Sequence, residues 1–350
     1  MRISHVMLSV GFGGAERYFV DLCLALAKRG HHIQAICQQG SDAHGRLAQS
    51  PGIDLAPIRV LGAWDPLALR AIRMALEGFH PQLVHTHLAR GAWLGGRAAH
   101  RLDLPVMTKL HNYVKLKYYR HVDWFNVTTE SQRDYLRQQG IEPQRIRVIP
   151  NFSSFPPASE AKSCGQEHPV TWVTFGRFVH KKGFDLLLEA FAQLRRDHPR
   201  ARLILGGDGE EAHRLKQRAQ AADLHGAVEF PGWVTDVSGF LDRADVFILP
   251  SRDEPFGIAV LEAMARGVPI VSTRTQGPSE ILDESTAWLC DVNSSDDLYK
   301  AMSQAASELE KNHVHATQAL ACYLNRYHED AVLPELIRLY EQIDHSQAAN

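Results

Sequence analysis

The sequence lacks any apolar run long enough to cross a membrane, and it lacks cysteine spacings typical of metal centres or disulfide frameworks. A membrane helix needs about 20 consecutive apolar residues, and no segment approaches this length. The N-terminal stretch Met1–Leu8 has no long apolar segment and no small-residue cleavage site, so we expect no signal peptide. The cysteines are odd in number and scattered, which predicts reduced thiols in a cytoplasmic protein; they are Cys23, Cys37, Cys164, Cys290 and Cys322.

The composition is that of a globular protein with more than one domain. The chain has 350 residues, of which 45% are apolar and 22% charged, and this length favours two hydrophobic cores over one. The net charge of −2 conceals an asymmetry, because residues 1–150 carry 19 Lys and Arg against 11 Asp and Glu. A basic half favours contact with an anionic membrane surface or an acidic acceptor. The alternative is that these charges are spread over the surface and attract no partner. No nucleic-acid partner is expected.

Strands alternate with helices in two successive stretches of the chain. Strands are predicted at Ile3–Ser9, His32–Cys37 and Leu83–His85, and the alternation restarts with Thr171–Phe175 and Val246–Leu249. Such alternation predicts right-handed βαβ units and mainly parallel sheets. We expect a domain over 1–150, a Pro- and Ser-rich linker over 151–168, a second domain over 169–325, and a helix over 326–350 that returns to the first domain.

The most informative segment is Asp253–Pro269, which follows the apolar strand Val246–Leu249. It predicts a helix over Phe256–Ala265 that ends at Gly267. Glu254 precedes this helix and Glu262 lies inside it, about two helical turns further along. A strand followed by a glycine-containing loop and a helix N-terminus is a common place to bind a phosphate or a sugar, through free backbone N–H groups.

This segment resembles the E-x7-E element of retaining, nucleotide-sugar-dependent glycosyltransferases of family four, which have the GT-B fold. The resemblance implies an α/β protein with two Rossmann-like, doubly wound domains facing a central cleft. It implies that Glu254 contacts the donor sugar and Glu262 the nucleotide ribose, and that the backbone of Phe256, Gly257 and Ile258 contributes to the donor site. The alternative is structural: Glu262 as a solvated helix residue and Glu254 as a partner of the helix dipole.

Two basic residues follow the first strand of the second half, in the stretch Phe175–Gly183. Arg177 offers a planar fork of donors and Lys182 a point charge, so both suit a diphosphate. Two cations can neutralise a leaving nucleoside diphosphate, a task that Mg²⁺ performs in other enzymes. The stretch is similar to the family motif G-R-x-x-x-x-K-G, which places Gly176 beside the donor as well. A solvated basic loop is the alternative, and it fits Lys181 better.

Three further loops are similar to family elements. The loop Val10–Arg17 after the first strand resembles a Gly-Gly-Ala-Glu loop that lies across the cleft from the donor phosphate and shapes the acceptor pocket, which makes Gly13 and Gly14 candidates. A tight turn between strand and helix is the alternative. The turn Leu205–Glu210 resembles the loop that lines the nucleotide side, with Gly207 as its candidate. In the loop Phe230–Asp236 the resemblance implies contact with the nucleobase by Trp233 and Val234, although Trp233 could equally be an aromatic at the edge of the core.

His85 and His87 end a predicted strand and share one of its faces, because side chains alternate along a strand. The resemblance implies that His87 contacts the donor sugar, whereas His85 is expected to pack in the sheet. Two histidines at this spacing can bind a metal, but no third ligand is expected nearby. No metal and no cofactor are therefore predicted.

Cations and aromatic residues interleave over His111–Arg120, as they do at membrane interfaces and polyanion sites. In the family this region borders the acceptor, and an ordinary surface segment is the alternative. The candidates for an acceptor or membrane side are His111, Lys115, Lys117 and Arg120.

The combined motifs predict a retaining glycosyltransferase. It would move a sugar from a UDP- or GDP-sugar to a hydroxyl of a glycan or glycolipid, as in lipopolysaccharide or other envelope glycan synthesis. The residues expected to carry catalysis are His87, Arg177, Lys182 and Glu254. The alternatives are a GT-B nucleotide-sugar epimerase, a disaccharide synthase, and a non-catalytic GT-B scaffold. A cytoplasmic location, peripheral on the inner face of the membrane, is compatible with these expectations.

Overall fold

The computed structural model describes residues 1–11, 13–62, 64–163, 170–222 and 224–348. The chain divides into two compact units, residues 1–154 with 328–350 and residues 155–327. Each unit contains one parallel β-sheet covered by helices. The prediction of two doubly wound α/β domains is thereby confirmed. Cys164 and residues 164–168 of the predicted linker lie outside the described residues.

The first unit contains a seven-stranded parallel sheet in the order β3-β2-β1-β4-β5-β6-β7. Its strands are β1 (Arg2–Met7), β2 (His32–Gln38), β3 (Ile53–Ile58), β4 (Leu83–His87), β5 (Val106–Lys109), β6 (Trp124–Val127) and β7 (Ile146–Val148). Its helices are α1 (Gly14–Lys28), α2 (Asp42–Leu47), α3 (Pro66–Phe79), α4 (Leu88–His100) and α5 (Glu130–Gln138). The order reverses between β1 and β4, and ligands of such sheets bind beyond the carboxyl ends of the strands at that point.

The second unit contains a six-stranded parallel sheet in the order β10-β9-β8-β11-β12-β13. Its strands are β8 (Thr171–Phe175), β9 (Arg202–Gly206), β10 (Val228–Glu229), β11 (Val246–Leu249), β12 (Ile270–Thr273) and β13 (Trp288–Cys290). Its helices are α6 (Phe184–Asp197), α7 (Ala212–Ala221), α8 (Val237–Asp242), α9 (Ile258–Ala265), α10 (Pro278–Ile281), α11 (Ser295–Ser307) and α12 (Leu309–Cys322). Here the strand order reverses between β8 and β11.

The last helix, α13 (Glu329–Ala348), belongs to the first unit. Leu333, Leu336 and Tyr340 on this helix are buried in the same core as β1 and α1.

The residues of this last helix also change the net charge of the first unit. Residues 328–350 carry five acidic residues and one Arg, so the net charge of +8 of residues 1–154 becomes +4 for the whole unit. The count over the first 150 residues therefore overstates how basic this unit is.

The described part of the segment after Pro150 is fixed to the second unit rather than free. Ala158 N–H donates to the carbonyl of Ala265 at 2.7 Å. The ammonium of Lys162 donates to the carbonyls of Leu241, Asp242 and Ala244 at 3.0, 2.8 and 2.8 Å. Three carbonyl acceptors satisfy all three donors of an ammonium group.

No helix in the described residues is long and apolar enough to cross a membrane. The described cysteines, at 23, 37, 290 and 322, are free thiols. Burial raises the pKa of the Cys37 and Cys290 thiols to about 12, so both stay protonated at neutral pH.

Candidate active site

Four loops of the second unit meet beyond the carboxyl ends of its strands. Gly207 N–H donates to the carbonyl of Gly232 at 2.7 Å, and Gly176 N–H donates to that of Gly206 at 3.0 Å. A Cβ on Gly207 would lie 2.0 Å from the carbonyl oxygen of Gly176, and one on Gly183 would lie 2.0 Å from that of Pro250. Only glycine permits this approach, and both residues also have positive φ. The glycine loops predicted from sequence are therefore brought together.

Lys182 and Glu254 form an ion pair at the point where the strand order reverses. Lys182 follows β8, Glu254 follows β11, and Nζ lies 2.5 Å from Oε2. Their side chains are 20% and 14% exposed, so both groups are partly shielded from water but accessible to a ligand. Glu254 is thus the partner of a lysine and not, as in the structural alternative, of the helix dipole alone.

Arg177 lies on the same loop as Lys182 but is exposed. In the part of the chain that the structure describes, its guanidinium has no hydrogen bond or ion pair. The N–H groups of this guanidinium, on the loop that carries Lys182, are therefore free to donate to an anion. Lys181, in contrast, is exposed and approaches Asp253 at 4.0 Å, as expected for a solvated lysine.

Glu262 is buried, with 1% of its surface exposed. The alternative of a solvated helix residue is therefore excluded. The predicted helix start at Phe256 was wrong by two residues, because Gly257 adopts φ +99° and α9 begins at Ile258. No side chain caps this helix among the described residues, so its first N–H groups are open to a ligand.

Trp233 is 55% exposed, which excludes its interpretation as an aromatic at the edge of the core. Its neighbour Val234 is half-buried and packs against Gly206, where a Cβ would lie 2.4 Å from its methyl group. The loop that carries both residues is held by Gly232 against Gly207. An exposed indole beside glycine loops is a suitable platform for a nucleobase.

Arg252 is a functional candidate that the sequence did not indicate. Its guanidinium donates to both carboxylate oxygens of Asp185 at 2.6 and 2.8 Å, and to the carbonyl of His180 at 2.9 Å. Burial alone would raise the pKa of Asp185, but the hydrogen bond and charge of Arg252 lower it. Arg252 N–H also donates to Lys181 O at 2.8 Å. Arg252 therefore joins the loops that carry Lys182 and Glu254.

In the first unit, a cluster of four imidazole rings lies where its strand order reverses. His5 on β1 pairs in register with His85 on β4, and His87 stacks on His85 with ring centroids 4.5 Å apart. His5 Nδ1 lies 3.4 Å from His87 Nε2, and His87 Nδ1 lies 3.3 Å from His111 Nε2. Tyr340 on α13 hydrogen-bonds His85 Nδ1 at 2.7 Å. His5 was missed because only the pairing of β1 with β4 brings it there.

These rings are neutral because they are buried. Burial lowers the pKa of His5 and of His111 to about 3, and it lowers the pKa values of His85 and His87 well below 6.5. His87 is fully buried, and its contact with a donor sugar stays a prediction. His111 points towards His87, so it differs in position from the exposed Lys115, Lys117 and Arg120.

The expectation that no third histidine is near His85 and His87 was wrong. Ligand nitrogens of His5, His85 and His87 lie within 4.8 Å of one another. Burial is the main cause that lowers the pKa values of His85 and His87, and neighbouring groups that include Lys109 lower them further. Burial also lowers the pKa of Lys109 itself well below its usual value. The absence of a metal remains a prediction.

The glycine turn after β1 is stabilised from within. Glu16 on α1 accepts a hydrogen bond from Gly13 N–H at 2.9 Å and another from the hydroxyl of Ser9. Gly13 N–H already donates to Glu16 and is therefore not free to bind a phosphate. Gly14 is the first residue of α1.

This chain is similar in sequence to known glycosyltransferases. The family described as "Glycosyl transferases group 1" matches residues 159–342, and "Glycosyltransferase Family 4" matches residues 12–152. The lipopolysaccharide core biosynthesis glycosyltransferase LpsE of Rhizobium meliloti is 31% identical over 88% of this chain and 89% of its own. LpsD of the same organism is 29% identical over 83% and 84%.

The crystal structure of Anabaena Alr3699/HepE in complex with UDP and glucose has the same fold. It superposes with a TM-score of 0.82 at 18% identity, over 97% of this chain and 99% of that one. The fold is therefore GT-B, as the resemblance implied. With two family profiles that match most of the chain and a relative that matches along its length, this chain belongs to the group 1 glycosyltransferases, family four.

Proposed function

We propose that this glycosyltransferase moves a sugar from a nucleoside diphosphate donor to a hydroxyl group of an envelope glycan. The observation that carries the proposal is the Lys182–Glu254 pair, which lies among glycine loops where the strand order reverses in the second unit. Relatives named for lipopolysaccharide core biosynthesis support this acceptor class. The UDP in the HepE complex supports a UDP-sugar over a GDP-sugar.

We assign the diphosphate to Arg177, Lys182 and the open N–H groups at the start of α9. Arg177 has a free guanidinium, and Lys182 can exchange part of its contact with Glu254 for a phosphate oxygen. Glu254 then faces the donor sugar and fixes the ammonium of Lys182. The remaining donor contacts are assigned to Glu262 for the ribose, to Trp233 and Val234 for the base, and to the backbone of Gly176, Gly207, Phe256, Gly257 and Ile258.

The reaction is proposed to retain the anomeric configuration. The described residues of this site include no carboxylate free of a partner and placed as a nucleophile, because Glu254 is paired with Lys182. The acceptor hydroxyl would attack the face that the diphosphate leaves, and a departing phosphate oxygen would take its proton. The protein then contributes orientation and stabilisation of the leaving anion, and no metal is needed for it.

The test is release of nucleoside diphosphate from a panel of UDP- and GDP-sugars, with and without deacylated lipopolysaccharide core acceptors. We expect one donor to raise the thermal unfolding midpoint, because a ligand that binds only the folded state stabilises it. Release should then require an acceptor and continue in excess EDTA. Magnetic resonance of the product should show the anomeric configuration of the donor. Release that EDTA abolishes, or an inverted product, would contradict the mechanism.

The location that we propose is the cytoplasmic side of the membrane that carries the acceptor, with the protein attached peripherally. This rests on the acceptor class and on the exposed Lys115, Lys117 and Arg120.

A further inference from the structure

Four large apolar side chains of the first unit are exposed within 14 residues of sequence. Leu61, Trp64, Leu67 and Met74 are 78, 72, 76 and 56% exposed. Leu67 and Met74 lie on the same face of α3, with the exposed Arg70 between them. Exposure of these apolar side chains to water is unfavourable unless another surface covers them, so such clusters mark contact sites.

Arginine side chains line a pocket beside Trp64, one member of this apolar group. A pocket of about 500 Å³ is lined by Trp64 and, from α3 and the end of α4, by Arg70, Arg73, Arg97 and Arg101. The same pocket contains one carboxylate, Asp65, which caps α3 by accepting from the N–H groups of Leu67 and Ala68. Over residues 59–101 the chain has six Arg, no Lys and two acidic residues. Guanidinium groups bind phosphate through two parallel hydrogen bonds.

Trp93 connects this pocket to the basic segment that the sequence indicated. Its ring packs against Trp64 at 4.8 Å and against Tyr118 at 6.4 Å, and Arg97 lies over it at 5.2 Å. His121 lies 6.2 Å from the same ring. Burial, and then the neighbouring His100 and the cations Arg97, Arg120 and Arg101, lower the pKa of His121. Arg97 and Arg101 of the pocket therefore lie near His121, as does Arg120 of the basic segment.

We propose that this tryptophan–arginine surface, formed by Leu61, Trp64, Leu67, Met74, Arg70, Arg73, Arg97 and Arg101, docks the enzyme on an anionic phospholipid bilayer. The apolar side chains enter the headgroup region, where indole rings are favoured, and the arginines bind headgroup phosphates. The inference rests on the proposed function, because a glycolipid acceptor would be presented at such a bilayer. The combination of protruding apolar groups with a ring of Arg favours a bilayer over an acidic soluble protein.

The first experiment is co-sedimentation with vesicles of phosphatidylcholine alone or with 30% phosphatidylglycerol. We expect binding only to the anionic vesicles, with loss as salt rises. Replacement of Arg70, Arg97 and Arg101 by Gln should weaken this binding on the order of 100-fold, since each cation contributes about tenfold or somewhat less. The matched control replaces Arg196, Arg200 and Lys216, exposed residues of the second unit, with the same change in charge. It should bind as the wild type does.

The second experiment tests whether the Trp64 side chain enters the lipid. Brominated acyl chains quench indole fluorescence on contact, and Trp64 and Trp233 are the tryptophans among the described residues that are more than half exposed. We expect quenching of the wild type and of Trp233→Phe, and none of Trp64→Phe. Quenching that persists in Trp64→Phe would overturn the proposed orientation. Equal vesicle binding by the triple arginine variant and by its control in the second unit would show that the proposed surface does not bind the bilayer.

Both readouts are independent of catalysis, so their failure differs from failure of the proposed function. An enzyme that transfers sugar to a soluble acceptor but binds no anionic vesicle would refute docking and leave the transferase activity intact. Variants that lose transfer to a water-soluble core acceptor but still bind anionic vesicles as the wild type does would show that the arginines bind the acceptor itself, and would overturn the bilayer proposal.

Discussion

Lys182 Nζ lies 2.5 Å from Glu254 Oε2, although 72 residues separate the two in sequence. The pair exists because β8 and β11 are neighbours in the sheet and each is followed by a loop at the same edge. A lysine held in this way is placed before the diphosphate arrives, so little reorganisation is needed when negative charge develops on the leaving group.

Replacement of Lys182 by Ala should therefore lower the rate of transfer by about 100-fold, the typical effect of one lost contact to a developing anion. The measurement is steady-state release of nucleoside diphosphate. Lys181→Ala is the matched control, because the neighbouring side chain is 52% exposed and only approaches Asp253. It should retain activity within about twofold. Equal rates for both variants, with unchanged thermal unfolding midpoints, would remove Lys182 from the site.

Arg252 is expected to act through Lys182 rather than on the substrate. Arg252→Lys keeps the charge but loses the two-pronged contact with Asp185. We expect kcat to fall by about tenfold, with a smaller change in stability. Arg266→Lys is the control, because Arg266 makes a similar pair with Asp242 elsewhere in the same unit.

A double-mutant cycle distinguishes this positioning role from a general loss of stability. If Arg252 acts by holding the loop of Lys182, Arg252→Lys should have little further effect in a Lys182→Ala background, since neighbouring residues of one network are not additive. Full additivity of the two effects on kcat would contradict the positioning role.

Glu262→Gln should weaken binding of the nucleoside diphosphate by about tenfold or more, because a hydrogen bond to a charged group is stronger than one to an amide. Calorimetric titration gives the dissociation constant directly. The exposed Glu310 on α12 provides the control Glu310→Gln. Unchanged affinity in Glu262→Gln would remove this carboxylate from the ribose, and equal weakening in both variants would indicate a general charge effect.

The sequence predicted features that are local and missed those that depend on strand pairing. The alternation of strands and helices and the glycine turns were readable because each has a short-range signature. The helix α2 and the strand β13 were missed because six and three residues give little periodicity. Arg252 and Asp185 are 67 residues apart, so nothing in either segment indicates the pair.

The four buried histidines predict a steep loss of stability in mild acid. A histidine whose pKa falls on folding stays neutral in the folded protein, while in the unfolded chain it takes up a proton below about pH 6.5. The unfolded state then binds more protons, so the free energy of unfolding decreases as the pH falls from 6.5 towards 3. Each such residue contributes up to about 1.4 kcal/mol per pH unit. Above pH 6.5 both states are neutral at these sites, and this stability is fully present.

The measurement is urea unfolding at pH 7.5, 6.0 and 5.0, above the range in which most carboxylates titrate. His5→Gln should reduce the slope of unfolding free energy against pH by about one proton relative to the wild type. Other groups that face the cluster are Tyr18, Tyr340 and Lys109. Burial raises the pKa values of the two tyrosines and lowers the pKa of Lys109 well below its usual value, an effect that Glu335 opposes. They are present in every variant, so their contribution cancels in the comparison. An identical slope for His5→Gln and the wild type would show that His5 is protonated in the folded protein.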